Sequence, residues 1–289
     1  MKIKKIMVVL IWLILIIGLS GCAQKTPDNK EKIVTSFYPM YIIALNLTKD
    51  VTNVELDNMT DTSVGCLHNY TLQTSDLKKI ENANIFIKNG LGLEIFMDKI
   101  TKTYPNIDII DASEANLDLV QDEEGDNGHV WNSIENYKKQ VSWIANNLMQ
   151  KNPENSELYK KNEEQYLTKI DELEVYKAEK EEYVISCNEA LAYLLKDANL
   201  TVIPVYTDHD ESSLSSGKLS EVIDKAKDKN IKAIFVDEKD DTKNAEIIAR
   251  ETGAQIVKLN SNLYGENNAD AYLNTMQSNF DILRKTFEK

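Results

Sequence analysis

The sequence lacks the cysteines of a disulfide framework and the long apolar run of a membrane span. It contains three cysteines in 289 residues, so at most one intramolecular bridge can form. Its uncharged run from Ile6 to Leu19 has 14 residues, whereas a spanning helix needs roughly 20. It also shows no internal repeat. These features exclude a small disulfide-stapled scaffold and an integral membrane protein held by this run.

The sequence also has fewer basic than acidic residues. Lysine and arginine total 33 against 47 acidic residues, which gives a net charge of −14. Removing residues 1–21 would take away three lysines and leave −17. Such a surface repels nucleic acid and anionic lipid and attracts cations. We therefore expect no nucleic-acid partner.

The N-terminus has the layout of an export signal. Three lysines precede the apolar run, and Leu19-Ser20-Gly21-Cys22 follows it, which predicts a signal peptide at residues 1–21. The order of the last four residues resembles a lipobox, in which signal peptidase cuts before an acylated cysteine. Residues 22–32 are polar and predict a flexible stalk. We expect an extracytoplasmic protein that is anchored to the cell membrane by lipid (palmitate) on Cys22.

From Lys32 onward, short β-branched runs alternate with amphipathic segments, which is typical of parallel sheets flanked by helices. The alternation occurs twice, so we predict an N-terminal α/β lobe at 33–152 and a C-terminal α/β lobe at 183–289. Between them, residues 154–182 contain neither glycine nor proline. With Pro153 at the first helical position, this segment predicts one rigid linking helix of about 28 residues, roughly 42 Å long.

Chemically useful side chains cluster where ligands of α/β sheets bind, beyond the carboxyl ends of the strands. Two of the three histidines fall in loops between predicted elements, and four other polar residues directly follow predicted strands. These candidates are His68, His129, Cys187, Asn188, Asp237 and Asn260.

Four motifs resemble those of a known protein family. They are Ser36-Phe37-Tyr38-Pro39-Met40-Tyr41, His68-Asn69-Tyr70, Asn89-Gly90-Leu91-Gly92-Leu93-Glu94 and His129-Val130-Trp131. The sequence resembles the zinc and manganese solute-binding lipoproteins of ABC importers over essentially its whole mature length. The resemblance implies two lobes, a rigid helix between them and a buried metal site in the cleft. It also implies a monomer that works with an ABC permease and its ATPase.

The resemblance further implies a set of metal ligands. The two family histidines correspond to His68 and His129. The third ligand, a histidine or glutamate five residues before an aromatic, corresponds to Asn188 before Tyr193, and the fourth, an aspartate, to Asn260. Both of these positions depart from the family, since an amide is a neutral and weak ligand that suits manganese poorly.

Two cysteines lie beside these positions. Cys66 is two residues before His68, and Cys187 is adjacent to Asn188. They could be thiolate ligands, which together with the two histidines would favour zinc. They could instead form a disulfide across the cleft, or be buried and inert.

We therefore expect a binding protein that captures a divalent metal, zinc ahead of manganese or another transition metal, and delivers it to an ABC importer. An alternative is a surface interaction or adhesion protein on the same fold with a lost or altered metal site. No nucleophile motif accompanies Cys187, so we expect no enzyme.

Overall fold

The computed structural model describes residues 30–65, 67–68, 70–122, 125–206 and 214–288. Several predicted features lie outside these ranges: the signal peptide 1–21, Cys22 with nearly all of the stalk, and Cys66. Within the described ranges, no helix combines the length and apolar character needed to cross a membrane.

The N-terminal half builds a four-stranded sheet in which every neighbouring pair of strands is parallel, in the order β2-β1-β3-β4. Its central strands are buried on both faces, as the unbroken runs Ile33–Thr35 and Ile85–Ile87 require. The strands are β1 (Glu31–Thr35), β2 (Val54–Asn58), β3 (Ile85–Lys88) and β4 (Asp108–Asp111). The helices that follow are α1 (Tyr38–Leu47), α2 (Thr74–Ile80), α3 (Met97–Thr103), α4 (Ile134–Lys151) and α5 (Ser156–Asp171).

A short hairpin of β5 (Gln121–Asp122) and β6 (Gly125–Asp126) precedes the loop that leads into α4. The two strands belong to the acidic sequence segment 121–128, which directly precedes His129. It interrupts the connection between β4 and α4 without joining the main sheet.

The C-terminal half repeats the architecture with a second parallel sheet, in the order β10-β9-β7-β8. The strands are β7 (Glu182–Ser186), β8 (Leu200–Pro204), β9 (Ala233–Asp237) and β10 (Gln255–Leu259). The helices are α6 (Ala192–Asp197), α7 (Ser216–Asp228), α8 (Lys243–Thr252) and α9 (Ala271–Phe287). Two parallel α/β sheets flanked by helices confirm the predicted fold class. The strand order reverses direction between β1 and β3 and between β7 and β9, and open α/β sheets bind ligands at such points.

The predicted linking helix of 28 residues is wrong in length. Helix α5 has 16 residues and ends at Asp171, and an irregular segment follows to β7. This segment packs on the last helix: Tyr176 stacks on Phe287, and the backbone of Glu174 bonds to Gln277 and Arg284. Helix-forming composition over 172–181 is overridden by these tertiary contacts.

Both lobes share one hydrophobic core, which draws residues from both sheets, while a smaller cluster lies within the C-terminal lobe. Tyr137 of α4 stacks on Tyr272 of α9 with ring centroids 3.6 Å apart, and the Tyr272 hydroxyl donates to the carbonyl of Trp131. The Trp131 indole in turn donates to the carbonyl of Ser261 at 3.0 Å. These contacts fix the loops of one lobe against those of the other.

Candidate metal centre

Three metal-ligating side chains converge where loops of the two lobes meet. The Glu189 Oε1 atom lies 3.6 Å from His68 Nδ1 and 3.7 Å from His129 Nε2. The two imidazole rings have centroids 5.3 Å apart. Among the described residues, this is the one group of three or more His, Cys, Asp or Glu side chains with ligand atoms all within 4.8 Å.

His68 comes from the long loop after β2. The preceding residue, Leu67, is fully buried in the shared core, and its carbonyl accepts a turn hydrogen bond from the backbone of Tyr70. The Tyr70 hydroxyl donates to Asp76 at the start of α2. This anchoring leaves the His68 side chain a quarter exposed at the edge of the site.

His129 comes from the loop between β4 and α4 and is almost completely buried. It precedes a single 3-10 turn at Val130–Asn132, in which Trp131 is buried against Phe37. The Asn127 side chain accepts from the backbone N–H of His129 at 2.9 Å, and its Oδ1 lies 3.0 Å from His129 Nδ1. The histidine is therefore held at both its backbone and its ring.

Glu189 is the first residue of a 3-10 turn, Glu189–Leu191, directly after β7. That strand is one of the two at the point where the C-terminal sheet reverses order, so its end faces the ligand position expected for this topology. Ala190 and Leu191 are buried, and the Ala190 carbonyl accepts from Asn132 of the other lobe at 2.8 Å. The carboxylate remains about a quarter exposed.

The three donor atoms have the spacing of a metal site. Ligand atoms bound about 2.1 Å from a tetrahedral ion lie about 3.4 Å apart, close to the 3.6 and 3.7 Å distances from Glu189 to the two histidines. Two imidazoles and one carboxylate also form the donor set of zinc sites that keep a fourth position open. The arrangement can hold a divalent transition metal without large movement.

Asn188, predicted as the third ligand, has both ends of its side chain engaged elsewhere. Its Oδ1 accepts from the backbone of Ala190 at 2.9 Å, which caps the 3-10 turn, and its Nδ2 donates to Asp240 at 2.8 Å. The structure brings Glu189, the next residue, into the cluster instead. The family spacing selected the cap of the turn rather than its first residue.

The other strand-end candidates of the C-terminal lobe are also engaged. Asn260 accepts from the backbone of Asn262 at 2.8 Å and donates to Glu238 at 3.3 Å. The Asp237 carboxylate accepts from the Tyr264 hydroxyl and from the backbone of Ser261. Asp237 is not part of the three-residue cluster.

Cys187 also lies apart from the cluster. It packs against the smaller hydrophobic cluster of the C-terminal lobe and is a free thiol, which favours the buried, inert cysteine over the disulfide among the three alternatives. Burial, reinforced by the nearby Asp240, raises the pKa of Cys187 to about 12. The thiol of the metal-free protein therefore stays protonated at neutral pH. Its predicted partner, Cys66, lies outside the described residues.

The sequence carries a local signal for Glu189. Asparagine is a preferred N-cap residue, and an acidic residue in the first turn opposes the helix dipole favourably. The order strand, Asn188, Glu189 therefore fits a capped turn, with the Glu189 carboxylate as the candidate metal ligand.

Known proteins resemble this chain in sequence. The family model described as "ZnuA: Zinc-uptake complex component A periplasmic" matches residues 33–286. The high-affinity zinc uptake system protein ZnuA of Bacillus subtilis is 28% identical, over 91% of this chain and 89% of that protein. The manganese-binding lipoprotein MntA of Halalkalibacterium halodurans is 23% identical, over 96% and 97%.

A solved structure shows the same architecture. The substrate-binding protein FpvC of Pseudomonas aeruginosa, in complex with Mn2+, superposes with a TM-score of 0.78 at 25% identity. The match covers 90% of this chain and 98% of that one. The likeness therefore extends over both lobes and the cleft between them.

Proposed function

Because the chain belongs to the ZnuA family of zinc-uptake components, we propose that it binds one divalent transition metal ion through His68, His129 and Glu189. Zinc is the preferred metal, and manganese is the alternative. The observation that carries the proposal is the convergence of these three side chains, whose ligand atoms all lie within 4.8 Å of one another. Relatives named for zinc and for manganese support the class of metal.

The donor set supports zinc ahead of manganese. Two imidazole nitrogens and one carboxylate suit zinc well, whereas manganese favours sites dominated by oxygen ligands. Among the described residues, the cluster supplies a single carboxylate, and the amide at Asn260 adds no charge. The alternative of a lost metal role rested on two amides at ligand positions, and the carboxylate of Glu189 beside the two histidines supports a retained metal site.

We further propose that the protein hands its metal to an ABC permease driven by an ATPase, from the outer face of the membrane. The relatives named as metal-binding or ABC-transporter lipoproteins support this role. A lipid on Cys22 would keep the receptor beside its permease. Cells fed labelled palmitate should label the natural protein but not a Cys22→Ala variant, and equal labelling of both would contradict the anchor.

The metal proposal is tested by titrating chelator-stripped protein with zinc and with manganese in a calorimeter. We expect one zinc ion per chain, weaker manganese binding, and loss of high-affinity binding in His68→Ala and His129→Ala variants. The proposal fails if the natural protein takes up neither metal, or if His129→Ala binds zinc as tightly as the natural protein.

A further inference from the structure

The side chain of Asn127 joins ligand-bearing residues of both lobes. It is 3% exposed and lies two residues before His129. Its Oδ1 accepts from the backbone N–H of His129 at 2.9 Å and lies 3.0 Å from Nδ1 of the same residue. Its Nδ2 donates to the backbone carbonyl of Glu189 at 3.1 Å.

The backbone partners fix the orientation of this amide. The N–H of His129 can only donate, so the atom facing it must be Oδ1. The carbonyl of Glu189 can only accept, so the atom facing it must be Nδ2. Both contacts demand the same orientation, and the amide therefore presents an acceptor to the His129 ring.

We propose that Asn127 is a positioning residue that sets the tautomer of His129 and couples that histidine to Glu189 across the cleft. An acceptor facing Nδ1 places the proton on Nδ1, which leaves the lone pair at Nε2, the atom 3.7 Å from Glu189 Oε1. Ligand orientation by such a partner is general in metal sites. The inference deepens the proposed function and rests on it for the role of His129.

The two ends of the amide have separable roles. Aspartate at position 127 would keep an acceptor for His129 but would turn a negative oxygen toward the carbonyl of Glu189. Alanine would remove both contacts. The backbone of Asn127 would stay tied to the C-terminal lobe in either variant, because its carbonyl accepts from the Tyr193 hydroxyl at 2.7 Å.

The test compares Asn127→Ala, Asn127→Asp and a matched control. Asn162→Ala also removes a buried amide that bonds to backbone carbonyls, those of Leu47 and Lys49, far from the metal centre. Two readouts are needed: the zinc affinity of each chelator-stripped variant, and the His129 tautomer from nitrogen-15 NMR of the metal-free protein with its histidines neutral.

We expect Asn127→Ala to weaken zinc binding by about 10- to 100-fold and to lose the Nδ1–H tautomer of His129. Asn127→Asp should keep the tautomer and weaken zinc binding less than alanine does. Asn162→Ala should change neither readout. The conservative variant thereby separates the tautomer from the coupling to Glu189.

The inference is overturned if Asn127→Ala keeps the Nδ1–H tautomer, if Asn127→Asp loses it, or if Asn162→Ala weakens zinc binding as much as Asn127→Ala does. If the natural protein binds no zinc, the proposed function fails. The tautomer measurement still decides in that case whether Asn127 positions His129.

Discussion

The two faces of the cleft carry different side-chain chemistry. The N-terminal lobe offers two imidazoles, each next to a buried anchor, Leu67 or Trp131. The C-terminal lobe is crowded with amides and carboxylates, but the described ones beside Glu189 bond to one another, as in the pair Asn188 and Asp240. In the proposed site, the first face would supply affinity for transition metals in general. The single carboxylate of the second would supply charge, and with it discrimination between metals.

The largest effect is expected from removing that charge. Glu189→Gln keeps the size of the side chain but replaces an anionic ligand with a weak neutral one. Zinc affinity should fall by more than about 100-fold, beyond the range typical of losing an outer partner, and manganese affinity should fall further. Competition titrations against a chelator of known affinity measure both.

Glu246→Gln is the matched control for this variant. Glu246 lies on α8 and bonds to Thr242 at an exposed position. The Glu246→Gln variant should bind zinc and manganese as tightly as the natural protein does. Equal zinc affinity in Glu189→Gln and Glu246→Gln would place the ligand of the C-terminal lobe elsewhere.

The second largest effect is expected from removing the hydrogen bonds by which the C-terminal lobe holds the loop that carries His129. The Tyr193 hydroxyl of the C-terminal lobe donates to the carbonyl of Asn127 at 2.7 Å and accepts from the backbone of Val120 at 3.0 Å. Tyr193→Phe leaves these buried backbone groups without that partner, so the free energy of unfolding should fall by about 1–3 kcal/mol. Zinc affinity should fall with it, because the loop carrying His129 is loosened.

Tyr159→Phe separates this effect from the loss of any buried hydroxyl. The Tyr159 hydroxyl is buried and makes no hydrogen bond to a described residue, so its removal should cost little. Urea denaturation of both variants, with zinc titration, provides the comparison. Equal stability losses would show that the hydrogen bonds of Tyr193 do not support the loop.

The fold followed from local patterns, because each strand and helix shows its own periodicity. Short β-branched runs form the strands Ile85–Lys88 and Gln255–Leu259. The linking helix failed for the opposite reason: residues 172–181 favour a helix locally, but Tyr176 and its neighbours gain more by packing on α9. Only the tertiary structure contains that information.

The candidate site could be predicted from the sequence on its N-terminal face but not on its C-terminal face. His68 and His129 lie in motifs whose neighbours anchor them, so the sequence predicted both members of the cluster from the N-terminal face. On the other face, Asn188 and Glu189 are adjacent, and a shift of one residue exchanges a turn cap for a ligand candidate. Hydrogen bonds to Ala190 and Asp240 decide between them, and no spacing rule encodes those.

A smaller effect is expected from the cap itself. Asn188→Ala removes the bond to the backbone of Ala190 and the bond to Asp240, and should cost about 1 kcal/mol of stability, as loss of an N-cap does. Zinc affinity should fall less than in Glu189→Gln. Asn188→Ser keeps a capping oxygen and should recover most of the loss in thermal unfolding. A fall in affinity as large as that of Glu189→Gln would instead identify Asn188 as a ligand.

The smallest effect is expected at Cys187. Burial raises its pKa to about 12, so the thiolate is scarce at neutral pH and its fraction grows only as the pH rises toward that value. Cys187→Ala should leave zinc affinity unchanged. In a Cys66→Ala background, iodoacetamide should label Cys187 slowly in the folded protein and rapidly in urea. Fast labelling of the folded protein, or weaker zinc binding by Cys187→Ala, would indicate that the thiol belongs to the metal centre.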